Sequence, residues 1–379
     1  MILSAEHVLI RDMARQFARE QLAPNAARWD RECGFPGEAI IEMGRLGLWG
    51  MMVPEAWGGS SADNVSYALA MEEIAAGDAA TSTVMAVQNL ACACVQKGGD
   101  DAQKERFLKP MAGGGMLACF GLSEPHAGSD AAAIRTRARR DGDSYVINGS
   151  KQFITSGKNA AVGVIFASTD PAAGGRGISA FIVPTDTPGF TVARVERKLG
   201  QHASDTCHLV FDDMRVPAEN RLGEEGDGYR LALANLEGGR IAIAAQAVGI
   251  AQAAYEHALR YAQERVTFGE PIFEHQAVAF RLADMATRIE AARQLVLHAA
   301  VLRDGGLPCL KEAAMAKLFA SEVVEKVCSD AVQTHGGYGY LADFPVERLY
   351  RDQRVCQIYE GTSDIQKMLI SRFLVQDLT

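Results

Sequence analysis

Three stretches of this 379-residue sequence hold residue types able to do chemistry together. In the first, Ile358 to Gln366 (IYEGTSDIQ), an acidic residue, Glu360, sits beside Gly361 and Thr362, just ahead of the last helical stretch. By itself a Glu there is a helix cap or a solvated charge, because carboxylates are favoured near helix N-termini. As a functional group it would be a general base, reaching a weakly acidic proton only if burial raised its proton affinity. In the second, Gly121 to Asp130 (GLSEPHAGSD), small residues, hydroxyls and backbone N–H groups gather in one turn, which suits close approach of a phosphate or a flat ring. By composition alone it is equally an ordinary Ser/Gly loop. The third, Gln333 to Asp352 (QTHGGYGYLADFPVERLYRD), carries Gly336 and Gly337, then aromatics, then Arg348, Arg351 and Asp352. Its plain reading is a helix ending at the glycines with surface ion pairs beyond.

The elements that must position these residues fall into three textures. From Ser4 to about Phe120 the pattern is helical: Ser4 can cap a first helix with Leu9, Met13 and Phe17 on one face, limited by Pro24. From Gly121 to about Gly228 it is strand-like, with Asn148-Gly149 suited to a tight hairpin between Tyr145, Ile147 and Phe153. Beyond Tyr229 it is helical again. Ile241, Ala245, Val248, Gln252, Tyr255 and Leu259 form one seam, Leu282, Met285, Ile289, Ala292 and Val296 a second, and Ala316, Ala320, Val323 and Val327 a third. The expected division is 1–120, 121–228 and 229–379. The fold class is α+β multidomain: an N-terminal α-helical domain, a middle β-barrel-like domain and a C-terminal four-helix bundle.

Composition narrows the function. Lys and Arg number 38 against 47 Asp and Glu, a net charge of -9, which disfavours a polyanionic partner such as nucleic acid. No apolar run is long enough to span a membrane, and the first residues lack a secretory pattern, so a cytoplasmic location is expected. The eight Cys show no CxxC pairs or zinc spacing and read as buried thiols in a reducing compartment, with no metal expected. There is no Walker A loop, HExxH or GxSxG, and the Gly-rich GGGMLA at Gly113 lacks the βαβ setting of a dinucleotide site.

Taken together, the three stretches resemble the acyl-CoA dehydrogenase family. GLSEPHAGSD is similar to its first signature and QTHGGYGYLADFPVERLYRD to its second. QFITSG, LEGGR, ERVTFGEPIFEHQ and IYEGTSDIQ fall in the order of its flavin, substrate and base segments, from about Ser4 to Leu374. The resemblance implies FAD as cofactor and removal of two hydrogens across the α,β-bond of a saturated acyl-CoA, giving the trans-2-enoyl-CoA. Glu360 would take the α-proton while the β-hydrogen leaves as hydride to the flavin. Some relatives carry the base one residue before the Arg of the LEGGR-type segment; Gly239 occupies that position, which leaves Glu360.

By the same resemblance, Phe120, Leu122, Ser123 and Ser129 touch the flavin, Ser129 also nearing the CoA, and Phe153, Ile154 and Thr155 back its ring. Thr362 and Asp364 face the adenosine end, where many relatives have Gln or Glu in place of Asp364. Arg265, Phe268, Gln276, Gln333, Gly336 and Gly337 resemble residues that reach the FAD of a neighbouring subunit, implying a homo-oligomer, commonly a tetramer built as a dimer of dimers. Glu237, Arg240, Tyr359 and Gly361 fall on the substrate side, Glu237 toward the CoA adenine. Electron-transferring flavoprotein is the implied acceptor, and fatty acid β-oxidation or amino-acid catabolism the setting. The acyl pocket is expected near Ser82, Thr83, Ala86 and Leu90, favouring a short to medium or short-branched chain. The rival readings are a flavin monooxygenase or oxidase on the same fold, which would lack the Glu, and a nucleic-acid-binding relative, which would need a basic patch.

Overall fold

The structure, a computed structural model, describes residues 2–376. Helix α1 (Ala5–Phe17) begins with a reciprocal cap: the Ser4 hydroxyl accepts from the His7 N–H and the His7 ring accepts from the Ser4 N–H. Its inward stripe is Ile10, Met13, Ala14 and Phe17, so Leu9, expected inside, is turned to solvent. Pro24 does not end the helix. The chain passes through a π-helical turn, Ala18–Leu22, into α2 (Ala23–Glu32), with Pro24 in its first turn. The wider turn absorbs the missing N–H and the bulk of the ring, which a regular α-helix could not.

After α3 (Gly37–Arg45), the helices α4 (Asn64–Gly77) and α5 (Ala79–Gly98) form the centre of the N-terminal half. Asp63 caps α4 through the Ser66 N–H, and Asp78 caps α5 through the Thr81 N–H. Helix α4 is apolar almost all round because it lies between α1 and a long C-terminal helix. The short α6 (Asp101–Gln103) and α7 (Lys109–Ala112) lead into the sheet.

The sheet runs β6-β7-β3-β2-β4-β5-β8, with β1 (Ala118–Gly121) parallel to β4 (Val162–Ser168). The other strands are β2 (Arg137–Asp141), β3 (Ser144–Thr155), β5 (Ile178–Pro184), β6 (Phe190–Val195), β7 (Thr206–Pro217) and β8 (Arg221–Leu222). Asn148-Gly149 is not the expected hairpin; the turn between β2 and β3 lies at Gly142-Asp143, and Gly149 sits inside β3. The β3–β7 register slips between Ile147 and Gly149, and Gly149 has φ 145. A Cβ on Gly149 would meet the Thr136 side chain at 2.5 Å, so glycine is required there for a bulge rather than a turn.

The C-terminal half comprises α8 (Gly228–Glu264), α9 (Gln276–Asp304), α10 (Leu310–His335), α11 (Pro345–Gln353) and α12 (Ser363–Gln376), with a small hairpin of β9 (Val266–Thr267) and β10 (Glu270–Pro271) after α8. The second and third seams are buried along their length; in the first, Ile241, Ala245 and Val248 are buried, while Tyr255 and Leu259 pack at the edge. Where α8 crosses α4, a Cβ on Gly249 would fall 2.0 Å from the Glu72 carbonyl, so this close approach depends on glycine. The Glu72 carboxylate takes Arg293 of α9 at 2.8 Å, joining α4 to the bundle.

Candidate active site

The segment between α11 and α12 is bent to aim Glu360 inward. Glu360 (φ 52) and Gly361 (φ 89) are both left-handed, which costs an ordinary L-residue about 1–2 kcal/mol. Three hydrogen bonds from two side chains hold the bend. Gln366, buried in α12, donates to the Glu360 carbonyl at 3.2 Å and the Gly361 carbonyl at 2.8 Å, and Lys317 of α10 donates to the latter at 2.7 Å.

The Glu360 carboxylate lies against α8. Its Oε2 is buried without a hydrogen-bond partner among the described residues, directly over Gly239. The Glu360 N–H also lacks an acceptor among the described residues. Burial pushes the Glu360 carboxyl above the usual carboxylate range, with Arg240 and Lys317 pulling against it. Arg240 is itself buried with its Nε unpaired; burial lowers its proton affinity and Glu360 and Glu237 partly restore it. Such unmet buried groups are expensive in a finished core and expected where a ligand completes the site. Glu237 is occupied differently, taking Arg303 at 3.4 Å and the Cys309 thiol at 2.7 Å.

Beneath Tyr359 lies a buried polar cluster that the sequence reading only half anticipated. The Gln246 amide N is 2.7 Å from the Ser82 hydroxyl and 2.8 Å from the Thr83 hydroxyl, and its amide oxygen accepts from the Tyr359 hydroxyl. Thr83 donates to Gln201 at 2.7 Å, and Gln201 ties the loop before β7 to Asp352 through its own N–H and side chain. Ser82, Thr83 and Leu90 are buried and Ala86 partly so. Gln246 and Gln201 were missed, although Gln246 is a lone polar residue in the apolar run Ile241 to Ala251, a pattern that marks a buried polar contact. Lys317, alone among the apolar residues of Ala313 to Ala320, carried the same signal.

On the sheet side, the β3–β7 register slips again between Lys151 and Ile154. Phe153 is left on this bulge at φ 63 with its ring 66% exposed, an unusual state for a large aromatic. Gln152 donates its N–H to the Ser123 carbonyl at 2.9 Å, so the turn after β1 lies beside the bulge. Leu122 and Ile154 are buried, Phe120 packs on Phe166 with ring centroids 5.0 Å apart, and Ser129 is exposed. The hydroxyls of Ser123, Ser129 and Thr155 have no hydrogen-bond partner among the described residues. Free hydroxyls, a clasped turn and an exposed aromatic fit a flavin.

Beneath that turn, the Glu124 carboxylate accepts from Lys151 at 2.7 Å and from the N–H groups of Arg135 and Thr136 at 2.6 and 3.0 Å. Lys151 also reaches the Leu122 carbonyl at 3.1 Å.

A third group lies elsewhere. Arg265, Gly336 and Gly337 line a cleft of about 410 Å³ with Tyr261 and His335, whose rings stack at 4.3 Å. Phe268, Gln276 and Gln333 are exposed on the same helical half, Phe268 almost completely. Thr362 caps the final helix, its hydroxyl accepting from the Ile365 N–H at 3.3 Å, and Asp364 is exposed in that helix's first turn. Among the described residues no cluster could hold a metal ion, and no helix is long and apolar enough to cross a membrane. Seven Cys are buried, but Cys33, at the left-handed end of α2, is exposed.

Helices thus flank the sheet, and an orphaned carboxylate is set into the helical side. Family models for the N-terminal, middle and C-terminal domains of acyl-CoA dehydrogenase match residues 4–115, 119–214 and 226–375. An acyl-CoA dehydrogenase of Bacillus subtilis is 51% identical over 376 residues, 99% of each chain. Butyryl-CoA dehydrogenase from Megasphaera elsdenii superposes with a TM-score of 0.97 at 44% identity, covering 99% of each chain. A chain solved in work on the electron transferring flavoprotein of Acidaminococcus fermentans gives 0.97 at 45%, again over 99% of each. The chain belongs to the acyl-CoA dehydrogenase family; it is an oxidoreductase acting on acyl-CoA, and its cofactor is FAD.

Proposed function

We propose that Glu360 is the base that removes the α-proton of a short-chain acyl-CoA. The single observation carrying this reading is the buried, unpartnered Oε2 of Glu360, raised in proton affinity and held by a strained turn. When bound, FAD supplies the acceptor for the β-hydride. The Glu360 N–H, free of any described acceptor, would donate to the thioester oxygen where negative charge develops. A donor fixed at such a point is worth about 3–4 kcal/mol. Entry of the acyl chain expels water from around the carboxylate, bringing its proton affinity closer to that of the carbon acid. Arg240 pulls against the burial that raises the carboxyl's proton affinity.

The flavin would rest on the turn Gly121 to Asp130 and on Phe153 to Thr155. We assign Arg265, Phe268, Gln276, Gln333, Gly336 and Gly337 to the FAD of a second copy, in a tetramer arranged as a dimer of dimers. Exposure of Phe268 and the aromatic cleft beside Gly336 support that assignment. Thr362 and Asp364 would contact the adenosine end, and Glu237 and Tyr359 the substrate side. The proposed units remain 1–120, 121–228 and 229–379, with β1 crossing the first border.

A short acyl chain is supported by the polar floor of Thr83, Gln201, Gln246 and Tyr359, whose mutual hydrogen bonds a longer apolar chain would have to break. The butyryl-CoA activity named for the M. elsdenii protein points the same way. Electron-transferring flavoprotein is the proposed acceptor, supported by the A. fermentans likeness.

Anaerobic mixing of the Glu360→Gln variant with butyryl-CoA tests the base. Folding and FAD content should survive while bleaching of the flavin slows by on the order of 10²–10⁴. A rate within a few-fold of the parent would remove Glu360 from the role.

A further inference from the structure

The mechanism just described leaves a fully buried cation unused. Lys317 lies in α10 within Ala313 to Ala320, with no solvent exposure. Its ammonium has one acceptor among the described residues, the Gly361 carbonyl at 2.7 Å. Burying an ammonium with so few partners is costly, and an apolar residue would fill the same volume more cheaply. The position of that acceptor suggests the compensation. Gly361 is the second residue of the left-handed pair that aims the base, and its carbonyl is held from α12 by Gln366 and from α10 by Lys317.

We propose that Lys317 is a positioning residue for the base: its ammonium, a second buried cation on the same side as Arg240, pins the Glu360–Gly361 turn from the α10 side and so holds the carboxylate in place. This rests on the reading of Glu360 as base.

The charged and titratable groups around the pair come from every neighbouring element. Arg240 and Glu237 lie on α8, Tyr67 on α4, Cys94 on α5, and Cys356 just before the turn. Burial draws the Lys317 ammonium down to about 8, with Cys356 and Glu360 opposing and Arg240 assisting. Lys317 is thus charged at neutral pH, and its field on Glu360 acts in the same direction as that of Arg240. The Gly361 carbonyl is held by Lys317 of α10 and Gln366 of α12 together, so α10 and α12 must keep their spacing for the carboxylate to stay over Gly239. A change that loosens the turn would move the base without touching it, and displacement of about 1 Å at a reacting group can cost 10²-fold.

The test uses the FAD-loaded enzyme with Lys317→Met, which removes donor and charge, and Lys317→Gln, which keeps a donor but not the charge. Two quantities are read: hydrogen exchange of the peptide covering residues 357–366, and the acid limb of flavin reduction by butyryl-CoA against pH. Lys317→Met should exchange faster at the turn, reduce its flavin about tenfold or more slowly, and show an acid limb at higher pH than the parent. Lys317→Gln should regain part of the exchange protection and rate while keeping the displaced limb; it also serves should the Met variant not fold. A lowered melting temperature with limb and turn protection unchanged would mean that Lys317 only packs, and would overturn the proposal. Glu360→Gln run alongside separates the two claims. If it is inert while the Lys317 variants keep the parent limb, the positioning role fails alone. If it reduces flavin normally, the base reading fails first.

Discussion

A Cβ placed on Gly239 would lie 2.7 Å from Oε2 of Glu360 and 3.4 Å from its carboxyl carbon. The helix α8 and the turn before α12 therefore meet at a point where one side has no side chain and the other ends in the Glu360 carboxylate. No backbone atom crowds that Cβ among its nearest neighbours; each of them belongs to Glu360. The space beside Gly239 is thus taken by the Glu360 side chain.

Gly239→Ala should consequently separate stability from activity. Inside a helix, alanine is favoured over glycine by about 1 kcal/mol, so the melting temperature should hold or rise. The flexible end of Glu360 must yield, and flavin reduction by butyryl-CoA should slow by at least about tenfold. A stable Ala variant with the parent rate would show that the carboxylate tolerates displacement.

The pH profile follows from the raised proton affinity of Glu360. In the proposed role Glu360 acts only when ionised, so activity should be present above its folded-state value and lost as pH falls through it. Because burial sets that value above the usual carboxylate range, kcat/KM for butyryl-CoA should begin to fall at a pH higher than an exposed Glu, near about 4.3, would give. Replacing Arg240 with Met removes an opposing charge and should move the limb further up. A profile flat down to pH 4 in the parent would contradict the first statement, and a limb that does not move in the Arg240 variant the second.

How far the sequence carried this picture depends on how local each feature is. Long helical seams are repetitive, and Leu282 to Val296 and Ala316 to Val327 lie inside as their spacing demands. Glu360 stood out because a long motif surrounds it, and its carboxylate is buried without a partner among the described residues. Most of what escaped was set by a partner distant in sequence, Pro24 being the local exception. Asn148-Gly149 has the local chemistry of a hairpin, yet pairing with β7 and the nearby Thr136 turn it into a bulge. Pro24 is ordinarily a stop, but the π-turn carries the helix past it. Gln246, Gln201 and Lys317 have roles only because α5, the loop before β7 and the base turn converge on them, and no window along the chain contains both members of such a pair.

The Glu124–Lys151 pair under the turn after β1, the turn proposed to carry the flavin, yields a prediction about cofactor retention. Both side chains are buried; burial draws Lys151 down to about 8, and on Glu124 its charge and the backbone donors outweigh burial to keep the carboxyl below its usual range. Breaking a buried pair from one side typically costs about 3–5 kcal/mol. Lys151→Met should lower the melting temperature and, by freeing the Leu122 carbonyl and the Glu124 carboxylate, reduce the FAD retained after gel filtration. Glu124→Gln with Lys151→Met together should recover much of the stability, since no lone charge is left. A single Lys151→Met variant as stable and as yellow as the parent would show that the pair does not secure the turn.

Asp352 offers a test of stability against pH in which the sign is opposite to that of a surface carboxylate. It is buried where α11 meets the loop before β7, accepting from the Gln201 N–H, with Arg348 4.0 Å away. Burial pushes its carboxyl up to about 7, with Asp78 adding to the rise and the Gln201 N–H and Arg348 opposing it. In the unfolded chain an Asp loses its proton near about 3.9. Between those limits the folded protein holds a proton that the unfolded chain has released, so the folded state binds more protons and stability falls as pH rises. Asp352→Asn keeps an oxygen for the Gln201 N–H but has no proton to lose. The melting temperature of the variant relative to the parent should therefore be least favourable near pH 4 and improve steadily toward pH 7, levelling off above. Because Asp78 and Asp30 face the same spot, the comparison is made as a difference between variant and parent at each pH, which cancels their own titration to first order. A difference in melting temperature that stays constant from pH 4 to 8 would mean that Asp352 is ionised throughout, with Arg348 and the Gln201 N–H outweighing its burial.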